Sequence, residues 1–137
     1  MNRLLIAFVL LCLAFTATPA QAATQIRESA VWYRVHLGTG VDQPVTREEV
    51  AEFIDTVITP RFPQGLTVTD ASGQWESKEY GLIKERTVVV DIQCPDAEDN
   101  AAKIREIAAA YVQKFTRAKA SCFIKRIPGI DTILYYQ

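Results

Sequence analysis

The sequence predicts a two-layer α+β domain in which four antiparallel strands carry two helices on one face. Three observations lead there. A strict two-residue alternation of apolar and polar side chains runs from Ala30 to Leu37, and further strand-like runs follow at 66–77, 82–93 and 121–127. Two segments between them repeat their apolar residues at helical spacing. The composition, 49% hydrophobic and 23% charged over 137 residues, is that of one ordinary globular domain. That apolar content excludes disorder, and only six Gly and six Pro exclude a collagen-like or low-complexity chain.

The first 22 residues read as a secretory signal. Arg3 supplies the positive end, Leu4 to Ala17 form a charge-free run of 14 residues, and Ala20-Gln21-Ala22 offers a small-x-small cleavage site. The run is shorter than the roughly 20 residues a membrane-spanning helix needs. Cys12 is preceded by Leu10-Leu11 rather than a small residue, which argues against a lipid anchor. The expectation is export to the periplasm or beyond, cleavage after Ala22, and no membrane span in the mature chain. Residues 23–29 follow as a polar leader and 30–137 as a single α+β domain.

Within the domain, Val31, Tyr33, Val35 and Leu37 share one strand face, and Trp32, Arg34 and His36 the other. Gly38-Thr39-Gly40 ends that strand. Thr46 and Glu49 form a capping box ahead of an apolar stripe of Val50, Phe53, Ile54, Val57 and Ile58. Pro60 sets the expected end of this helix near Thr59. The next two strands, 66–77 and 82–93, join through Lys78 to Gly81 as a hairpin, with a bulge or bend expected at Asp70-Ala71-Ser72-Gly73. Pro95 and Asp96 open the second helix, whose stripe is Ile104, Ile107, Ala108, Tyr111 and Phe115. Its acids Asp96, Glu98 and Asp99 lie near the positive end of the helix dipole, and Lys114, Arg117 and Lys119 near the negative end. Ser121 to Ile127 forms the last sheet strand, Pro128-Gly129 a turn, and 130–136 an edge strand. The order β-α-β-β-α-β, with right-handed crossovers, is the ferredoxin-like split βαβ arrangement, with the first strand between the third and fourth.

One run resembles a known family. Thr59-Pro60-Arg61-Phe62-Pro63, then Gly65-Leu66-Thr67-Val68 and Gly73-Gln74-Trp75, is similar to the bacterial domain-of-unknown-function family 3574, whose hallmark is a Thr-Pro-Arg-Phe motif. The likeness spans about residues 31–136 and departs at Val35-His36-Leu37, where the family more usually has an aromatic-rich run. Membership implies export and a compact α+β domain, and implies no activity.

Charge excludes one class of partner. With 15 basic and 16 acidic side chains, and 14 against 16 once the signal is removed, the chain lacks the excess needed to neutralise nucleic-acid phosphates. Seven of the basic residues fall between Lys103 and Arg126, which reads either as a solvated helix face or as a stripe for an acidic envelope polymer.

Candidate sites follow from residue chemistry. His36 is the only histidine, so acid–base chemistry near neutral pH would centre on it, oriented by Asp91 or Glu85 from the neighbouring strand. The same face can equally be a solvated surface of paired charges or a homodimer interface. Arg61, between two prolines, is either an anion-binding guanidinium or a loop-fixing one. Arg34, Trp32 and Trp75 are further ligand-contact candidates, with Trp75 and Tyr80 read alternatively as caps of the core edge. One histidine and two distant cysteines give no metal-ligand spacing, and no glycine-rich phosphate loop is present, so no cofactor is expected. Cys94 and Cys122 are expected to stay unpaired: in this topology they lie at opposite ends of the sheet, on the order of 20 Å apart, where a disulfide tolerates about 7 Å. The reading is therefore a non-catalytic periplasmic module binding a small molecule or an envelope protein. The alternative is a small dimeric α/β-barrel-type enzyme using His36 on an anionic substrate.

Overall fold

A computed structural model describes residues 26–134 of the chain, with Arg27–Thr132 forming one compact unit. The signal segment at 1–22 lies outside the described residues. Strand β1 (Ile26–Gly38) is followed by helix α1 (Arg47–Phe53), strands β2 (Thr67–Ser77) and β3 (Gly81–Pro95), helix α2 (Glu98–Lys114) and strand β4 (Ser121–Leu134). The sheet order is β2-β3-β1-β4, with β3 antiparallel to both β1 and β2. This is the ferredoxin-like split βαβ topology, with β1 between β3 and β4.

Strand parity decides the two faces. Val31, Tyr33, Val35 and Leu37 of β1 and Val88, Val90, Ile92 and Cys94 of β3 turn to the helices and are buried. Against them pack Phe53, Ile54 and Ile58 from the first helical segment and Ile104, Ile107, Tyr111 and Phe115 from α2 and its cap. Phe53, Tyr111 and Phe115 meet edge-to-face with centroids 5.0–6.0 Å apart, the geometry that aromatic quadrupoles favour. The Tyr111 hydroxyl, buried with them, donates to the Gly38 carbonyl at 3.1 Å, tying α2 to the end of β1. The capping box forms as expected: Glu49 N–H donates to the Thr46 hydroxyl, and Thr46 N–H to the Glu49 carboxylate.

Four local expectations are corrected. Helical structure does not stop at Thr59: α1 runs into a π-turn (Ile54–Ile58) and then a 3₁₀ turn (Thr59–Arg61). The wider π-turn gives Thr59 N–H a partner in Ile54 C=O, and Pro60 then falls in the first turn of the 3₁₀ segment, where its missing N–H costs nothing. Strand β2 has no bulge: Thr67 to Ser77 pair one-to-one with Asp91 to Gly81. Asp70 keeps its extended conformation because Arg86 and Arg47 take up its carboxylate at 2.6–2.9 Å. Strand β1 begins at Ile26, so part of the expected leader belongs to the sheet. Finally, Pro128-Gly129 does not break β4, which continues as one strand to Leu134 in place of a separate edge strand. β4 is an edge strand, where proline is tolerated, and Gly129 beside it takes a positive φ of 72°.

Candidate functional site

The sheet face opposite the helices carries Trp32, Arg34 and His36 from β1 beside Asp91 and Val89 from β3. The register sets Arg34 across from Asp91 and His36 across from Val89. Arg34 donates to both carboxylate oxygens of Asp91 at 2.7 and 2.8 Å, and the Trp32 indole N–H donates to Oδ1 at 3.1 Å. The guanidinium also lies 4.8 Å from the Trp32 ring centre. The hydrogen bonds from Arg34 hold the Asp91 carboxyl below the usual range. His36 packs edge-on against Phe123 of β4 at 5.5 Å, and its buried Nε2 has no hydrogen-bond partner among the described residues. Burial lowers the pKa of His36, and the positive charges of Arg34 and Lys125 lower it further.

The sheet thus brings His36 and Asp91 near each other without joining them. Asp91, expected as an orienter of the imidazole, accepts hydrogen bonds from Arg34 and Trp32 instead. Glu85, the other expected orienter, is committed elsewhere.

Glu85 forms the floor of a cleft at the end of the same face. Its Oε2 accepts the Gly40 backbone N–H at 2.7 Å, and its Oε1 accepts the Trp75 indole N–H at 3.1 Å. Gly73 is the residue paired with Glu85 in the β2–β3 register, and Trp75 lies two residues further along the same face. A Cβ at Gly73 would come within 2.6 Å of the Thr87 hydroxyl. Gly40 is equally constrained: at φ 77° it passes so close to the Ala118 carbonyl that any Cβ would collide. Opposite Trp75 stand Val41 and Lys119, whose ammonium pairs with Asp42 at 3.0 Å and donates to the Tyr80 hydroxyl at 3.3 Å. The cleft holds about 300 Å³ and is lined also by Ile83, Ser77, Glu79 and Ser121. That size and mixture of aromatic walls with a few convergent polar groups suits a small ligand. Sequence reasoning singled out Glu85 and Trp75 separately and missed Gly40 and Lys119. The available signal was Gly38-Thr39-Gly40, two glycines one residue apart, which marks a close backbone approach.

The remaining candidates lie apart from the cleft. Arg61 donates to the Val57 carbonyl at 2.7 Å and lies 3.7 Å from Glu106, which is the helix-fixing role rather than an open anion fork. The basic residues near and after the end of α2 pair with acids: Lys114 with Glu52, Arg117 with Glu49, and Arg126 with Asp96. A wider groove of about 680 Å³ lies along β2 and β3 beside the Arg47–Asp70–Arg86 cluster. Cys94 and Cys122 are both free thiols. Among the described residues no three His, Cys, Asp or Glu side chains gather as metal ligands would, and no helix is long and apolar enough to cross a membrane.

Comparison with known proteins agrees with this architecture. A phage SAM lyase in complex with S-methyl-5'-thioadenosine superimposes with a TM-score of 0.59 at 18% identity, covering 80% of this chain and 90% of that one. The same lyase in its apo state gives 0.54 at 17% identity, covering 80% and 89%. CutA from Synechococcus elongatus gives 0.50 at 7% identity, covering 80% and 85%. At such identities the likeness is one of fold. No curated protein matches the chain. The family described as protein of unknown function DUF3574 matches residues 33–124, which take in α1, both hairpin strands and the whole cleft, and the chain belongs to that family.

Proposed function

We propose that the protein is an exported binding module, without catalytic activity of its own, whose ligand site is the cleft over Glu85. The observation that carries this reading is the cleft itself: two aromatic side chains, Trp75 and Tyr80, stand about half exposed at 49% and 54%, around a carboxylate whose position two neutral donors hold. The enzyme alternative depends on His36, whose ring has no hydrogen-bonded carboxylate to orient it. The signal-like segment at 1–22 supports export, with the periplasm as destination.

A thermal-denaturation screen of the mature chain tests the reading, because a ligand that binds only the native state raises its stability by mass action, about 2.7 kcal/mol at a hundredfold excess over Kd. The panel includes S-methyl-5'-thioadenosine, the ligand of the structurally similar lyase. Stabilising compounds are expected to lose their effect on Trp75→Ala. Compounds that stabilise that variant equally bind elsewhere, and conversion of a stabilising compound to product would replace the module by an enzyme. Mass spectrometry of protein from its host should show an N-terminus at Ala23; an intact leader in the membrane fraction would overturn export.

A further inference from the structure

We infer that the cleft selects a compact organic cation, held with its charge above Glu85 and its carbon atoms against Trp75 and Tyr80. This rests on the cleft being the ligand site and adds the chemical class. Both hydrogen bonds to its carboxylate come from uncharged donors, the Gly40 amide and the Trp75 indole, and Glu85 takes part in none of the ion pairs among the described residues that involve its neighbours. The lining's lysine does not answer it, because Lys119 is committed to Asp42 and to the Tyr80 hydroxyl. Glu79 adds a second negative charge to the lining. An anion entering would meet two carboxylates, whereas a cation would supply the missing counter-charge.

The walls point the same way. Trp and Tyr rings attract cations over their faces; Lys119 Nζ already lies 5.2 Å from the Tyr80 ring centre, which leaves the Trp75 ring as the cation-attracting wall open to a ligand. A carboxylate has room for about four hydrogen-bond donors, so two bonds leave Glu85 with acceptor capacity for a ligand hydroxyl, while its uncompensated charge attracts a quaternary ammonium without any N–H. Val41 and Ile83 supply apolar surface for the carbon atoms of such a ligand.

The test uses choline and its uncharged isostere 3,3-dimethyl-1-butanol as probes, titrated into the ¹⁵N-labelled protein and followed at the Gly40 amide and the Trp75 indole N–H. Choline should shift both signals saturably, with at least tenfold higher affinity than the isostere. Glu85→Gln should bring choline down to the isostere's level, and Trp75→Leu, a change at an exposed wall read at the Gly40 amide, should weaken choline several-fold even if the Glu85 variant fails to fold. Equal affinities for the two probes would overturn the cation class while leaving the cleft as a binding site. Silence from both, with a compound from the thermal screen still shifting these signals, would do the same. Silence of these signals toward every compound would overturn the cleft reading as well.

Discussion

His36 couples the open sheet face to pH. Burial disfavours its imidazolium form, Arg34 and Lys125 oppose it, and only Asp91 favours it, so the folded pKa lies below the ordinary 6.5. The unfolded chain therefore takes up the proton first as pH falls. The stability contribution is complete above 6.5 and is lost as pH drops from there toward the folded value. Asp91, Asp70 and Glu49 are depressed too, by hydrogen bonds from Arg34, from Arg86 and from the Thr46 amide respectively. Their contributions are present above the ordinary carboxylate range and lost below it. Urea midpoints should thus be level between about pH 8 and pH 7, decline once the pH falls below about 6.5, and fall again below about pH 4. His36→Phe should flatten the first decline and keep the second. A midpoint that rises on acidification through pH 6 would contradict the burial argument.

At the scale of elements, the first helical segment bears most on stability because Phe53 sits at its centre, wholly buried against Tyr111 and Phe115. Phe53→Ala should cost about 3–5 kcal/mol. Trp32→Ala, on the open face, loses an indole hydrogen bond and a guanidinium contact and should cost less, about 1–2 kcal/mol. Denaturant unfolding of the two variants checks the ordering, and equal losses would mean that the open face is covered in solution. The faces were legible because β1 alternates without fault from Val31 to Leu37, and the strand order followed from connection handedness. Pro60 misled because a proline signals a stop only to an α-helix, and a π-turn upstream shifts the register so that it lands where no N–H is needed. Asp70 to Gly73 misled because local turn chemistry was outweighed by Arg86, whose approach depends on the β2–β3 register, and by Arg47, which reaches over from α1. The cleft was half legible. Glu85 and Trp75 drew notice as residue types, but their meeting depends on the β2–β3 register, and Lys119 arrives from the far end of the sheet order.

Across the whole molecule, the sheet keeps the two thiols apart. Cys94 pairs in register with Val31 in the middle of β1, while Cys122 follows Ser121, which abuts Gly38 at its end. Seven residues of strand separate those positions, on the order of 20 Å. Burial raises Cys122 to about 11, and burial followed by the charge of Asp96 raises Cys94. Both should therefore react slowly with alkylating reagents in the native protein and rapidly once unfolded, without prior reduction. An intramolecular bridge, seen as two unlabelled thiols in denaturant, would require a different strand order. The same sheet is mechanically uneven. β1 last pairs at Gly38 with Thr87, and Thr39 and Gly40 extend its hold on β3 only to Arg86 and Glu85. From Lys84 to Gly81 the hairpin is a two-stranded arm about 13 Å long. Its tip is tied back through side chains, Tyr80 to Lys119 and Trp75 to Glu85, so amide exchange should be faster at Leu82 to Lys84 than at Val88 to Ile92, and a bound ligand should slow the arm far more than the centre of the sheet.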